Sequence, residues 1–341
     1  MTRRMLTEDG LIRIIQRTVK RRGQVRLGIG DDAAVLKDGT VVTTDAYAEG
    51  VHFDLSYMSL RAVGERCACG AISDVVAMAA EPEALFVSLS LPRPPPGARC
   101  APGGPAAATR ELYRGIESVC AEMSCEVAGG DIIVADRLLL AFTVTGRTRA
   151  PRLRSGAQPG DRLYVTGCLG SAEAGRMVLA ERAGNHNRSP RPGTKNGRSS
   201  LVRRHLRPVP RLAAMKALRH SIHGLTDTSD GIATDARHIS EMSRVRIELE
   251  ADSLPIEAAT SRFCAQRGLD PVDFVLGAGE DYELLFTTAR RVPAEVSGVR
   301  VTAVGRVEKG RGLWIRRAGL TLPVKVSGYD HLGSMLGKTC D

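Results

Sequence analysis

Seven aspartates stand in small, apolar or glycine-rich surroundings: Asp31 and Asp32 in GIGDD, Asp45 in TTD, Asp74 in ISDVVAM, Asp131 in AGGDI, and Asp227 and Asp230 in DTSDG. Two carboxylates about 4 Å apart repel by roughly 4 kcal/mol at an effective dielectric near 20, so such a set stays ionised together only around cations. Hard divalent ions such as Mg²⁺ take carboxylate, hydroxyl and phosphate oxygens, and bound phosphate completes their shell. The chemistry indicated is that of a nucleotide's phosphates. A single Asp beside a Gly is more often a turn or cap residue. Asp74 differs: on a helix its neighbours three and four positions away are Gly70, Ala71, Ala77 and Met78, so the face carrying it is buried. The competing reading has Ser73 capping a new helix, with Asp74 complementing its dipole.

Glycines recur beside these acids, at Gly28, Gly30, Gly129, Gly130 and Gly231. Without a Cβ, their backbone N–H groups can approach phosphate oxygens closely. The chain has neither a GxxxxGK[ST] loop nor a GxGxxG turn opening a helix, which excludes an ordinary P-loop enzyme and argues against a Rossmann dinucleotide site. DTSDGIATDARHI reads as a helix start, with Ser229 or Asp230 at the cap and Asp235 in an early turn, a place that can hold a phosphate.

The elements that must position these residues alternate. Thr7 followed by Leu11, Ile12, Ile14 and Ile15 predicts a short capped amphipathic helix, and VVTTDAYAEGVHF an extended segment with one polar face. SLRAVGERCACGAISDVVAMAA follows as a helix rich in small residues, then LFVSLSLP as a strand. PRPPPGARCAPGGPAAA reads as a surface loop before the helix TRELYRGIESVCAEM, and CEVAGGD and LLLAFTVTG as two further strands. Between Arg149 and Asp161 the composition turns to Arg, Pro and Gly, and alternation resumes at DRLYVTG. This places a boundary there, giving an N-terminal domain over 1–148 and a C-terminal α/β domain over 149–341. GNHNRSPRPGTKNGRSS has almost nothing to bury and reads as a mobile insertion.

The length of 341 residues and 43% apolar content suffice for two cores. No run approaches the roughly 20 apolar residues of a bilayer span, and the N-terminus carries periodic charge where a signal peptide needs an apolar run, so the expected location is the cytoplasm. The eight cysteines form no CxxC pair and no zinc spacing, and read as reduced, mostly buried thiols. The net charge of +10 is concentrated between Arg182 and Arg211 without interleaved aromatics. That pattern argues against nucleic acid and for anionic small substrates.

Taken together, GIGDDAA, TTDAYAEGVHF, ISDVVAM, AGGD, RSGAQPGD, YVTGCLGSAEAG, RRHLRPVPR, DTSDGIATDA, GAGEDYELLFT, VGRV and GYDHL resemble the thiamine monophosphate kinases, within the aminoimidazole ribonucleotide synthetase superfamily. GIGDD is shared widely there, while EGVHF, HLRP, GEDYELLF and GYDHL are closer to the thiamine enzymes. The resemblance implies an α+β fold of two domains: an N-terminal domain binding ATP and metal, whose sheet joins that of a second subunit in a homodimer barrel, and a C-terminal α/β domain. It implies metal roles for Asp32, Thr43, Thr44, Asp45, Asp74, Asp131, Asp227 and Asp230. It further implies ATP contacts from Tyr113, Gly130, Asp131, Arg154 and Ser229, and thiamine monophosphate contacts from His52, Glu280 and Tyr329. Family members often carry Asn and Thr where this chain has Ala71 and Ile132; neither change removes an implied ligand.

The expected reaction is direct in-line phosphoryl transfer from ATP to thiamine monophosphate with Mg²⁺ and no protein nucleophile. The rival within the superfamily is another ATP-dependent synthetase of the selenophosphate or purine type. A rival of another class is a catalytically silent, basic nucleic-acid binder, which an intact set of acidic ligands argues against.

Overall fold

The computed structural model describes residues 8–20, 22–93, 104–184 and 198–325. Its first half runs α1 (Glu8–Thr18), β1 (Val25–Leu27), β2 (Ala34–Leu36), β3 (Thr40–Ala48), α2 (Leu60–Ala77), β4 (Glu81–Pro92), α3 (Gly104–Met123), β5 (Glu126–Ala135) and β6 (Leu139–Arg147). The six strands form one open sheet in the order β1-β2-β3-β6-β4-β5. Every pairing in it is antiparallel except β4 with β5.

The second half runs β7 (Arg162–Thr166), α4 (Ser171–Gly184), α5 (Arg198–Leu206), α6 (Leu212–Leu218), β8 (Leu225–Asp227), α7 (Ile232–Ser243), β9 (Arg246–Glu250), α8 (Ala258–Ala265), α9 (Pro271–Gly277), β10 (Leu284–Thr288), β11 (Glu295–Val296), β12 (Val299–Glu308), β13 (Gly312–Arg317) and β14 (Leu320–Pro323). Its sheet has the order β14-β13-β9-β12-β7-β10-β8, with β11 paired to β12.

Helix α2 is the hub. Ser59 caps it by accepting a hydrogen bond from the Ala62 amide at 3.2 Å, satisfying one of the unpaired donors of the first turn. From there the helix continues unbroken to Ala77, so Ser73 lies in its interior and caps nothing. Small residues on nearly every face let α2 lie against the first sheet and α3, and also reach β8 of the second sheet. Gly64 and Gly115 mark the crossing with α3. A Cβ on Gly64 would stand 2.2 Å from the Leu112 carbonyl oxygen, and one on Gly115 2.1 Å from that of Arg61. One apolar core accordingly spans both halves, joining Val75, Leu85 and Phe142 to Tyr164, Leu225 and Phe286, while a second lies within the C-terminal half around Ile239, Ile247 and Val304.

Several boundaries differ from the sequence expectation. The strand through TTD ends at Ala48, and Glu49–Phe53 turns back on itself because the Gly50 amide bonds to the Phe53 carbonyl. Helix α3 begins at Gly104, inside the stretch read as loop, and β5 runs on to Ala135. Helix α7 starts after Gly231 rather than at Ser229 or Asp230; Gly231 takes φ 103°, where glycine avoids the Cβ clash. The Thr7 cap, most of the Pro-rich loop and residues 185–197 of the basic insertion lie outside the described residues, while Arg198 to Leu206 is helix. Cys67, Cys69, Cys120, Cys125 and Cys264 are buried free thiols and Cys168 is half-buried. No described helix is long and apolar enough to cross a membrane.

Candidate active site

Strand alternation in β3 turns Val41, Thr43, Asp45 and Tyr47 to one face and Thr44 and Ala46 to the other, where they are exposed. Thr43 Oγ1 donates to Asp74 Oδ2 at 2.7 Å, and the Tyr47 hydroxyl donates to Asp45 Oδ2 at 2.9 Å. From α2, Ser73 Oγ donates to Asp227 Oδ2 at 2.5 Å at the end of β8. Asp32, in the turn before β2, accepts from Thr226 Oγ1 at 3.0 Å and pairs with Arg154 at 2.5 Å. Carboxylate oxygens of Asp32, Asp74 and Asp227 thus come within 4.8 Å of one another. The trio draws on a turn and α2 from the first half and on β8 from the second.

This charge is under-compensated. Asp32 Oδ2 and Asp227 Oδ1 are buried without a hydrogen-bond partner among the described residues. Burial first, then the Asp32 charge, pushes Asp227 up to about 7, and the same two causes push Asp31 to about 7. Asp74 is raised well above its ordinary value by burial and then by Asp45, Asp227 and Asp32. Burial likewise raises Asp45. Orphaned oxygens, hard donors only and elevated proton affinity together are the signature of a site suited to Mg²⁺.

The remaining expected residues are distributed around this centre. The Thr44 side chain lies on the face of β3 opposite the trio. Asp131 is exposed on β5, which β4 and β6 separate from β3; three strand spacings put it about 14 Å from that strand, so the structure does not gather it into the trio. Beside it, Gly130 has φ 155°, and a Cβ there would meet the Val87 carbonyl oxygen at 1.9 Å, so the backbone at this point of β5 admits glycine alone. Tyr113 lines a cavity of about 590 Å³ with Arg61, Arg110 and Arg114. Arg154, expected at the nucleotide, is held on Asp32 and Thr226.

Asp230 and Ser229 follow Asp227 in the loop before α7, and the Ser229 carbonyl accepts from the Glu280 amide at 2.7 Å. Glu280 sits in the left-handed region at φ 63° and forms an ion pair with Arg66, which is buried within α2. The His52 Nδ1 accepts from the Ala48 amide at 3.1 Å, and its ring meets Tyr47 edge-on. Tyr329 lies outside the described residues.

The sequence reading gave no role to Thr226, Arg66 or His238, took Ser73 only as a possible helix cap and placed Asp235 only in the early turn of a helix. Ser73 had a visible signal, a hydroxyl directly before a buried Asp, and Arg66 another, a charge at the head of the small-residue run CACGAIS of α2. Arg204 and Arg211, from the basic segment, pair with the fully buried Glu283 of GEDYELLF, so part of that charge serves the interior.

The family model for the N-terminal domain of AIR synthase related proteins matches residues 30–148, and that for their C-terminal domain matches residues 158–315. The chain belongs to the AIR synthase related family, and within it to the thiamine-monophosphate kinases. The thiamine-monophosphate kinase of Aquifex aeolicus is 31% identical over 313 residues, covering 91% of this chain and 94% of its own. That of Bacillus subtilis is 30% identical, covering 96% and 99%. A solved structure of AaThiL complexed with AMPPCP and TMP superposes with a TM-score of 0.82 at 30% identity, covering 97% and 99%.

Proposed function

We propose that this chain transfers the γ-phosphoryl group of ATP to thiamine monophosphate, giving thiamine diphosphate and ADP. The observation that carries the reading is the under-compensated trio Asp32, Asp74 and Asp227, in a chain so similar over nearly its whole length to enzymes of that name. In the transfer, a phosphate oxygen of thiamine monophosphate bonds to the γ-phosphorus as the bond to the β–γ bridging oxygen breaks. That oxygen is already ionised at neutral pH, so positioning and charge neutralisation matter more than a general base.

Asp32, Thr43, Asp45, Asp74, Asp227 and Asp230 would hold Mg²⁺, with Thr44 acting through its backbone. Bound Mg²⁺ supplies neutralisation of the charge on both phosphate groups. Thr43 and Ser73 orient Asp74 and Asp227 by donating one hydrogen bond each, leaving the other carboxylate oxygens free to ligate. Asp131 and Gly130 would meet the nucleotide on the β5 side and Tyr113 would line its cavity, with Ser229 and Arg154 nearer the trio. His52, Glu280 and Tyr329 would contact thiamine monophosphate, and the Arg66 ion pair fixes the Glu280 carboxylate.

The division at residues 148/149, a cytoplasmic location and a homodimer belong to the same proposal. The dimer is supported by β5, an outermost strand on which Ile132, Ile133 and Val134 are 58%, 55% and 57% exposed. Such an edge invites pairing with another sheet. Purified protein with ATP and Mg²⁺ is expected to convert thiamine monophosphate to thiamine diphosphate. Failure there, with success on a selenide or purine-type acceptor, would transfer the reading to the superfamily rival.

A further inference from the structure

Next to the trio stands a second cluster of different chemistry. Asp235 and His238 are three residues apart on α7, so their side chains lie on one face of the helix. Asp230 faces them from the loop before the helix. One ligand atom from each of the three falls within 4.8 Å of the others. Paired carboxylate and imidazole ligands at this spacing on one helix are a recurrent way to hold a transition metal in helical bundles.

A cluster alone would be ordinary on a protein surface, but Asp235 is 0% exposed and neither of its carboxylate oxygens makes a well-formed hydrogen bond among the described residues. Burial, then the Asp230 and Asp227 charges, raise its proton affinity well above the ordinary value, while Arg154 and the Asp230 main-chain amide lower it. The guanidinium of Arg154 is already paired with Asp32. A buried carboxylate left so incompletely paired is costly unless a cation or proton joins it.

We propose that Asp230, Asp235 and His238 form a divalent transition-metal site beside the Mg²⁺ trio. The imidazole sets its selectivity: nitrogen ligands favour Co²⁺ and Zn²⁺ over Mg²⁺, which prefers an all-oxygen shell. The site shares Asp230 with the set assigned above, yet it needs neither ATP nor turnover, so it stands or falls separately from the kinase reading.

The test is Co²⁺ binding to the full chain, without nucleotide and with excess Mg²⁺ present, followed by calorimetry. One Co²⁺ per chain is expected to bind under these conditions. His238→Ala, at a half-buried position, is expected to weaken that binding by about tenfold or more, and Asp235→Asn to do the same, while Asp74→Asn leaves it unchanged. X-ray absorption of the wild-type complex reads the site without any variant and is expected to show the outer-shell scattering of an imidazole ring. An all-oxygen shell, Co²⁺ affinity indifferent to His238→Ala, or loss of binding in Asp74→Asn would each overturn the proposal. No stoichiometric Co²⁺ binding at all would overturn it too.

Discussion

Asp45 and Asp74 illustrate how much a carboxylate's role depends on what surrounds it. Each is raised above its ordinary proton affinity chiefly by burial, and Asp74 also feels three neighbouring carboxylates. Asn keeps the shape and removes the charge. Asp45→Asn and Asp74→Asn are therefore expected to fold normally by circular dichroism and to lose at least about a hundredfold in kcat, roughly 3 kcal/mol of transition-state stabilisation. Near-normal turnover in both would remove the metal assignment. Asp281 acts on the backbone instead. Its oxygens accept from the Gly170 and Ala172 amides at 2.6 and 3.0 Å, which anchors the start of α4. Burial outweighs those amides and pushes it up to about 7 from an ordinary 3.8. The folded state then holds a proton that the unfolded state releases above about pH 4, so this group favours folding at low pH and loses that contribution as pH rises toward 7. Urea titrations should show the wild type losing up to about 3 kcal/mol relative to Asp281→Asn between pH 5 and 8; a flat difference would contradict the assigned shift.

Elements meet here through glycine as much as through apolar side chains. Gly64 of α2 lies against the Leu112 backbone of α3, and Gly115 of α3 against the Arg61 backbone of α2, at distances no Cβ tolerates. Helix propensity alone would have Gly64→Ala stabilise the chain by about 1 kcal/mol. The backbone of Leu112 cannot yield as a flexible side chain would, so the substitution is expected to destabilise by about 1–3 kcal/mol in chemical denaturation. It should also displace α3, which carries Tyr113. A stabilised variant would mean that the helices separate at little cost. Element boundaries were partly legible from residue pattern: α2, β4, the body of α3 and β6 follow the expected periodicities, whereas the end of β3, the start of α3, the end of β5 and the start of α7 do not. The end of β3 and the start of α7 are decided by a turn closing through Gly50 and by the positive φ of Gly231, conformations that periodicity does not encode.

At the scale of the whole molecule, the first sheet ends at β5, whose outer edge pairs with no other strand among the described residues and whose Ile132, Ile133 and Val134 are exposed. If β5 joins a second copy, a charge in that strip must be buried unpaired when the subunits meet. Ile133→Arg is expected to shift the protein from dimer to monomer in analytical ultracentrifugation, with the monomer still folded. A wild type that sediments as a monomer at micromolar concentration would end the dimer proposal.

The amino-acid sequence by itself determined the donor chemistry of the site and the family. Seven aspartates amid glycine and small residues, with motifs such as GIGDD and GEDYELLF, are local patterns that need no folding to be read. Tertiary structure decided which of those acids share a site. Asp32, Asp74 and Asp227 converge because α2 reaches β8 across the two halves, a contact 154 residues apart in the chain at Ser73 and Asp227. Strand alternation turned the Thr44 side chain away, and sheet order set Asp131 apart. It also decided that Arg154 neutralises Asp32 and that Asp235 is buried beside His238. Long-range proximity of this kind arises from packing between elements, which residue type and spacing along the chain do not contain.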